Sequence, residues 1–218
     1  MTEVPEIAAE RERTSTFLRQ FARRKRDPAI ERCELCSLEL TPMHQHLLER
    51  QTRQISCCCD ACAIVFCGQP GAHYLRVPRR IRTLSDFRMD DLQWESLMIP
   101  INLAFFYRNS TADKMVAMYP SPAGATESLL NLESWAEMAA QHPALQTMEP
   151  DVETFLVNRV ATPAQYYIVP IDESYRLVGL IRMHWRGLSG GTEVWKEIQQ
   201  FFAELKSRST EVREPARA

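Results

Sequence analysis

The chain lacks the features that would assign it to a membrane-embedded or exported class of protein. None of its apolar runs approaches the 18 or more residues that a membrane-spanning helix needs. Its first residues contain no apolar segment of the kind that a secretory signal peptide has, so we expect a cytoplasmic protein. Glycine is scarce, at 7 of 218 residues, and the composition of 45% hydrophobic and 25% charged residues is typical of a globular chain.

An excess of basic charge is also missing. The 26 Lys and Arg residues are balanced by 28 Asp and Glu residues, for a formal net charge of −2. The first 90 residues are slightly basic and the remainder is acidic, but neither part has the charge density that nucleic-acid-binding domains show. We therefore expect no nucleic-acid partner.

Cysteine, in contrast, is concentrated in one part of the chain. Two CxxC pairs, CELC at residues 33–36 and CDAC at residues 59–62, are separated by 22 residues. Each pair lets two thiolates from one tight turn reach the same ion, and four sulfurs suit the tetrahedral geometry of Zn²⁺. The spacing predicts a structural zinc site formed by Cys33, Cys36, Cys59 and Cys62. Iron, in a rubredoxin-like or iron–sulfur centre, is the alternative because thiolates suit both metals, and ordinary packed thiols are the third interpretation.

Further candidate ligands lie between and beside the two pairs. Alternate residues of a strand share a face, so His44 and His46 can converge on one ligand. Together with Cys57 or Cys58 they form a second candidate metal site. Alternatively, Cys57 exchanges with a ligand of the first site, or one histidine is structural and hydrogen-bonded to backbone or to a ligand sulfur.

A histidine-containing hairpin between two CxxC pairs is also a feature of HNH nucleases. Here no matching Asn precedes the second pair, and no His follows Cys62. We therefore keep an HNH-like nucleic-acid-binding finger only as an alternative, and we identify no catalytic residues.

The sequence predicts four segments. Residues 1–30 form a flexible extension with an amphipathic helix over residues 14–25. Residues 31–80 form the zinc module, in which residues 47–56 supply a hairpin and residues 61–66 a short helix, a treble-clef-like or ribbon-like arrangement. After a basic linker, VPRRIR, residues 81–206 form a second domain, and residues 207–218 form a disordered tail.

The second domain is predicted to be α+β, with helices covering a mainly antiparallel three-stranded sheet. Aromatic and β-branched runs predict strands at residues 103–107, 115–119 and 166–169. Helices are predicted at residues 131–141, 151–160, 172–185 and 193–205. The segment PSPAGATES is predicted to be a loop. The segment RGLSGG, at residues 186–191, predicts either an anion-binding loop or a glycine-rich helix C-cap and turn.

Six motifs extend over about residues 30–206, namely CELC, HQHL, CCCDACAIVF, AMYPSPAGATESLL, PDVE and PIDESYRLVGLIRMHWRGLSGG. Together they resemble a bacterial family of unknown function that accompanies operons of uptake [NiFe]-hydrogenases, particularly the high-affinity type of soil bacteria. The resemblance implies an accessory role in maturation, assembly or electron-transfer support of a hydrogenase. It also implies that the four CxxC cysteines are ligands and that the glycine-rich loop matters.

The sequence thus favours a non-catalytic, zinc-binding accessory protein whose partner is another protein, with hydrogenase subunits as the candidates that the resemblance implies. An iron–thiolate redox carrier and the HNH-like finger are the alternative functions. The oligomeric state does not follow from the sequence.

Overall fold

A computed structural model describes residues 30–67, 69, 71–187 and 189–212. The amphipathic helix predicted over residues 14–25 lies outside these residues, as do the last six residues of the predicted tail. No helix in the described part of the chain is both long and apolar enough to cross a membrane.

The cysteine-rich part folds around a small antiparallel sheet. Its central strand β1 (Gln45–Glu49) pairs with β2 (Ile55–Cys58) on one side and with β3 (Tyr74–Arg76) on the other. Helix α1 (Asp60–Cys67) lies between β2 and β3 in the chain. The predicted hairpin and the predicted helix after the second CxxC pair are both confirmed.

The rest of the described chain builds a seven-stranded mixed sheet covered by helices. Its strands are β4 (Arg82–Leu84), β5 (Leu103–Asn109), β6 (Lys114–Ser121), β7 (Gly124–Ser128), β8 (Glu153–Asn158), β9 (Gln165–Pro170) and β10 (Thr210–Val212). The spatial order is β10-β4-β9-β8-β5-β6-β7, with β10 parallel to β4 and every other neighbouring pair antiparallel. The α+β class is confirmed, but the prediction of three strands is wrong.

The large sheet has helices on both faces. One face packs on α2 (Asp91–Ser96), α3 (Leu132–Gln141) and α4 (Pro143–Gln146), through an aromatic core that includes Phe87, Trp94, Phe106, Trp135 and Phe155. The other face packs on α5 (Ile171–His184) and α6 (Gly191–Arg208), through residues such as Phe105, Leu156, Leu177 and Phe202. The result is a three-layer domain in which the central strands are buried on both sides.

Residues 151–160 were predicted to form a helix, but residues Glu153–Asn158 form strand β8. All six of its residues are buried, with Phe155 facing one helical layer and Leu156 facing the other. A strand covered on both faces has a continuous apolar sequence without the alternation of polar and apolar residues. Such a run is indistinguishable from a buried helix by periodicity alone.

The other strands that were not predicted lie in short or turn-rich segments, where the sequence pattern typical of a strand is weak. Within PSPAGATES only the turn at residues 122–123 is free of strand, since β6 ends at Ser121 and β7 begins at Gly124. Strands β4 and β10 have three residues each. Residues 210–212, predicted as part of a disordered tail, pair with β4. The segment VPRRIR is not a simple linker either, since Val77 and Ile81 are buried and Arg82 starts β4.

The small sheet packs directly against the large one. Because strand side chains alternate, Leu48 and Ile55 face the large sheet, where they contact a cluster with Tyr107 and Ile171. Leu47 and Cys58 face the other way, toward α1. The two faces of β1 and β2 therefore present their side chains to two separate environments.

An ion pair also joins the two sheets. Arg53, in the turn between β1 and β2, donates through Nη1 to Asp151 Oδ1 at 2.5 Å, and its guanidinium lies 4.6 Å from the centre of the Tyr107 ring. The side chain of Asp151 is only 3% exposed and accepts further hydrogen bonds from the backbone and hydroxyl of Ser110. This contact helps to hold the small sheet in one orientation.

Candidate metal centre

The first CxxC pair forms a tight turn ahead of β1. The N–H of Ser37 donates to the carbonyl of Cys33 at 2.7 Å, and the N–H of Cys33 donates to the carbonyl of Leu38 at 2.8 Å. Ser37 has a φ of 64°, a left-handed conformation that glycine adopts most readily. The position after this CxxC pair therefore takes a glycine-like backbone conformation although the residue is serine.

The second CxxC pair lies at the start of α1. Cys59 immediately precedes the helix and Cys62 is in its first turn. The N–H of Cys62 donates to Cys59 Sγ at 3.5 Å. Thiolates are stabilised at this end of a helix, because the free backbone N–H groups and the helix dipole favour negative charge there.

The fold brings the four predicted ligands together. The sulfur atoms of Cys33, Cys36, Cys59 and Cys62 all lie within 4.8 Å of one another, and Cys36 Sγ is 3.7 Å from Cys59 Sγ. Tetrahedral coordination with Zn–S bonds of about 2.3 Å places the sulfurs about 3.8 Å apart. All four cysteines are free thiols. This cluster, which we call the four-cysteine site, could hold a metal ion.

The electrostatics of the four-cysteine site favour a bound cation. Burial disfavours the Cys33 thiolate, but hydrogen bonds from the backbone of Cys59 and Leu35 bring its pKa down to about 6. Desolvation and the neighbouring thiols raise the pKa of Cys62. Four thiolates this close repel one another, so the set is stable in its ionised form only when a cation neutralises it.

The remaining cysteines occupy distinct positions. Cys58 is fully buried beside Leu47 and Ala63, and its thiol donates to the carbonyl of Cys59 at 3.2 Å. Cys67, at the end of α1, packs against the edge of the same cluster. Cys57 points to the opposite face of β2, toward the large sheet, so the strand geometry separates Cys57 from the four-cysteine site.

Cys57 lies instead beside the two predicted histidines. His46 and Cys57 are direct cross-strand partners in β1 and β2. The Nε2 atoms of His44 and His46 are 3.2 Å apart, and one ligand atom from each of these three residues lies within 4.8 Å of the other two. The convergence of His44 and His46 is confirmed, and Cys57 rather than Cys58 is the cysteine that accompanies them.

Each histidine is oriented by a partner at its other ring nitrogen. His44 Nδ1 is 2.9 Å from the carbonyl oxygen of Thr41, and His46 Nδ1 is 2.5 Å from a carboxylate oxygen of Asp172. The hydrogen bond to Asp172 raises the pKa of His46. Asp172 lies in the first turn of α5, and its carboxylate contacts His46 in β1. Asp172 and His46 are 126 positions apart in the sequence, so no local sequence signal reveals that Asp172 orients His46.

The glycine-rich segment RGLSGG is a packed turn in its described residues. Gly190 and Gly191 have φ values of 86° and 75°. A Cβ on Gly190 would lie 2.9 Å from the Val194 side chain and 3.1 Å from Trp185. The guanidinium of Arg186 donates to two carbonyls at the end of α5. These contacts explain the glycines and the arginine by packing and helix capping.

Comparison with known proteins places these features in a family. A family model described as "Family of unknown function (DUF5947)" matches residues 32–209, which include the four-cysteine site, both histidines, the small sheet and every strand of the large sheet except β10. Neither the curated proteins nor the solved structures contain a significant match to the chain.

Proposed function

The chain belongs to that family of unknown function, and we propose that it is a non-catalytic accessory protein in which zinc folds a cysteine-rich module that binds a partner protein. The single observation that carries this proposal is the four-cysteine site, whose sulfurs converge at distances suited to one tetrahedral ion. With four protein ligands such a site has no free position for substrate, which is typical of structural zinc.

The composition of the module's core supports a folding role for the ion. The buried residues that cluster around the site are Cys33, Leu47, Cys58, Cys59 and Ala63, so three of the five are cysteines. Leu47 is the single large aliphatic side chain among them. This apolar core is too small to hold the two CxxC turns and α1 in place by burial alone, and a bound metal supplies the missing free energy of folding.

The surface of the module supports a role in protein binding. Helix α1 presents Ile64, Val65 and Phe66 to solvent, with Ile64 70% and Val65 64% exposed. Consecutive exposed apolar side chains on a helix are typical of interaction surfaces. Since α1 begins at the second CxxC pair, metal binding would also order the helix that carries this surface.

The resemblance to hydrogenase-associated proteins suggests which partner to test. We propose that the module binds a subunit or a maturation factor of a [NiFe]-hydrogenase and supports its assembly. Deletion of the gene is expected to reduce hydrogenase activity, and the tagged protein is expected to co-purify with hydrogenase subunits. Intact activity in the deletion strain, together with no association, would contradict this part of the proposal and leave the zinc assignment untouched.

A surface substitution tests whether α1 is the binding element. Ile64→Glu is expected to weaken co-purification with the partner at least tenfold, because it places a charge in an apolar contact. Leu92→Glu is the matched control, since Leu92 is also on a helix and 77% exposed, but belongs to the large domain. Equal binding by both variants would exclude α1 as the contact surface.

The metal is identified by elemental content and colour together. We expect the purified protein to contain zinc and to show no visible absorption band, because Zn²⁺ is a d¹⁰ ion. The alternative function, an iron–thiolate redox carrier, is favoured by the exposure of Cys36 at the surface of the site. Iron content with a visible thiolate-to-iron band in aerobically or anaerobically purified protein would establish that alternative instead.

A further inference from the structure

The cluster of His44, His46 and Cys57 is not used by the four-cysteine site. His46 and Cys57 lie on the face of β1 and β2 that is turned toward the large sheet, and His44 precedes His46 by two residues. The side chain of His44 is only 7% exposed. Three groups that commonly bind metals thus meet at the junction between the small sheet and the start of α5.

The hydrogen bonds determine where the ring protons are. A backbone carbonyl can only accept, so His44 carries its proton on Nδ1, which faces Thr41. An ionised carboxylate also accepts, so His46 carries a proton on the Nδ1 that faces Asp172. With one proton on each ring, the two Nε2 lone pairs face each other at 3.2 Å. That contact is repulsive unless a cation lies between or beside the two nitrogens.

The cation is either an additional proton or a metal ion. A proton shared between the two nitrogens would not involve the Cys57 sulfur, whereas a metal ion would bind all three groups at once. Metal-bound histidines usually donate their other ring N–H to a carboxylate or a backbone carbonyl, and both kinds of partner are present here. Imidazole together with thiolate suits Zn²⁺ and other divalent ions of intermediate softness.

We propose that His44, His46 and Cys57 bind a second Zn²⁺-like ion that keeps one coordination position open. A cavity of about 370 Å³ adjoins the site and is lined by both histidines, Asp172 and Arg79. Three protein ligands and an accessible fourth position are typical of catalytic or exchangeable zinc, in contrast to the closed four-cysteine site. The open position would take water or a small anion, because the Arg79 side chain contributes positive charge to the cavity wall.

The carboxylates around the cavity are consistent with this assignment. Asp172 is engaged by His46, while Glu173 pairs with Arg176 at 2.8 Å and with Arg208 at 2.8 Å. Glu31 lies 3.5 Å from His44 Nδ1. The second site shares no ligand with the first, because the two sites lie on opposite faces of the small sheet.

Metal counting with histidine variants tests the proposal. In His44→Asn and His46→Asn, the amide can still donate to Thr41 or Asp172, but the Nε2 ligand is removed. Each variant is expected to contain one metal ion fewer per chain than the wild type. His73→Asn, the control, alters a histidine that pairs with Glu49 outside the cluster and is expected to match the wild type. Equal metal content in all four proteins would overturn the proposal in favour of a shared proton.

The test measures the difference in metal ions per chain between the wild type and each histidine variant. This difference distinguishes failure of the second-site proposal from failure of the proposed function. Iron instead of zinc in the four-cysteine site, or failure to bind the proposed partner, would contradict the proposed function but leave the difference of one metal ion per chain unchanged.

Titration with Co²⁺ after selective removal of the weaker ion gives a second test. Asp172→Asn is expected to weaken Co²⁺ binding by about 10–100-fold, as substitutions of the partners of metal-bound histidines do. Cys57→Ser is expected to remove the thiolate-to-cobalt absorption of this site, whereas Cys67→Ser retains it. A Co²⁺ affinity and spectrum unaffected by both Asp172→Asn and Cys57→Ser would overturn the proposal, even if the histidine variants fail to fold.

Discussion

Cys36→Ser is expected to release the metal from the four-cysteine site and to unfold residues 31–76 locally. Cys36 is exposed, so replacing its sulfur with oxygen creates no cavity in the core, and any loss of structure reports on the metal. Structural zinc contributes about 10–16 kcal/mol of apparent binding free energy in zinc-finger peptides, and this free energy is available for folding. The five buried residues of the module core cannot replace a contribution of that size.

Hydrogen exchange resolved by peptide is the appropriate measurement for this variant. Protection is expected to collapse in β1, β2 and α1 and to persist in β5, β8 and β9, whose core is independent of the cysteines. Cys67→Ser is the matched control, because Cys67 lies outside the four-cysteine site. Wild-type protection of the module in metal-free Cys36→Ser would contradict a folding role for the ion.

Glu153→Gln is expected to lower the free energy of unfolding of the whole domain by about 3–5 kcal/mol. The Glu153 side chain is 0% exposed, and its two oxygens accept from Arg80 Nε at 2.8 Å and from Arg82 Nη2 at 2.9 Å. The side chain of Arg82 is 15% exposed, so removal of the carboxylate leaves a largely buried guanidinium without its counter-charge. An uncompensated buried charge is costly because the interior solvates it poorly.

The neighbouring Glu149 supplies a control that shares a partner with Glu153. Arg80 Nη2 also contacts Glu149, but both side chains of that pair are 49% exposed, and exposed pairs contribute about 0–1 kcal/mol. Urea denaturation of Glu153→Gln and Glu149→Gln should therefore give clearly different midpoints at similar slopes. Equal destabilisation by the two substitutions would show that burial of Glu153 is not the source of the effect.

The elements predicted correctly are those that short stretches of chain specify. Strands β5 and β6 were predicted from two aromatic and β-branched runs, and they pair as an antiparallel hairpin. Helix α3 was predicted at residues 131–141, and it begins after Asn131, whose side chain accepts hydrogen bonds from the N–H groups of Glu133 and Ser134. The four-cysteine site follows from the spacing of two CxxC pairs, because the geometry of each pair is local.

The errors arose where the environment of a segment, and not its own pattern, decides its conformation. Glu153 was predicted to lie on a helix, and Arg80 and Arg82 were predicted to lie in a basic linker. In the structure, these residues meet because β4 and β8 flank β9 in the large sheet. Neither face of β8 is exposed to solvent, and β10 is ordered by pairing with a strand that is distant in sequence.

For the cluster of His44, His46 and Cys57, one part of the geometry was predictable from the sequence and the rest depends on the tertiary structure. Alternation along a strand predicted that His44 and His46 converge, which needs only local geometry. The choice of Cys57 over Cys58 required the register of β1 against β2. The contact with Asp172 required the docking of α5 against the small sheet.

Sequence alone was sufficient for the α+β class, the grouping of the four CxxC cysteines and the approximate positions of most helices, because turn geometry and side-chain periodicity act over a few residues. The seven-stranded sheet, the buried Glu153 cluster and the pairing of His46 with Asp172 arise only on folding. They depend on burial and on contacts between residues far apart in the chain, and these contributions exist only once the layers have packed together.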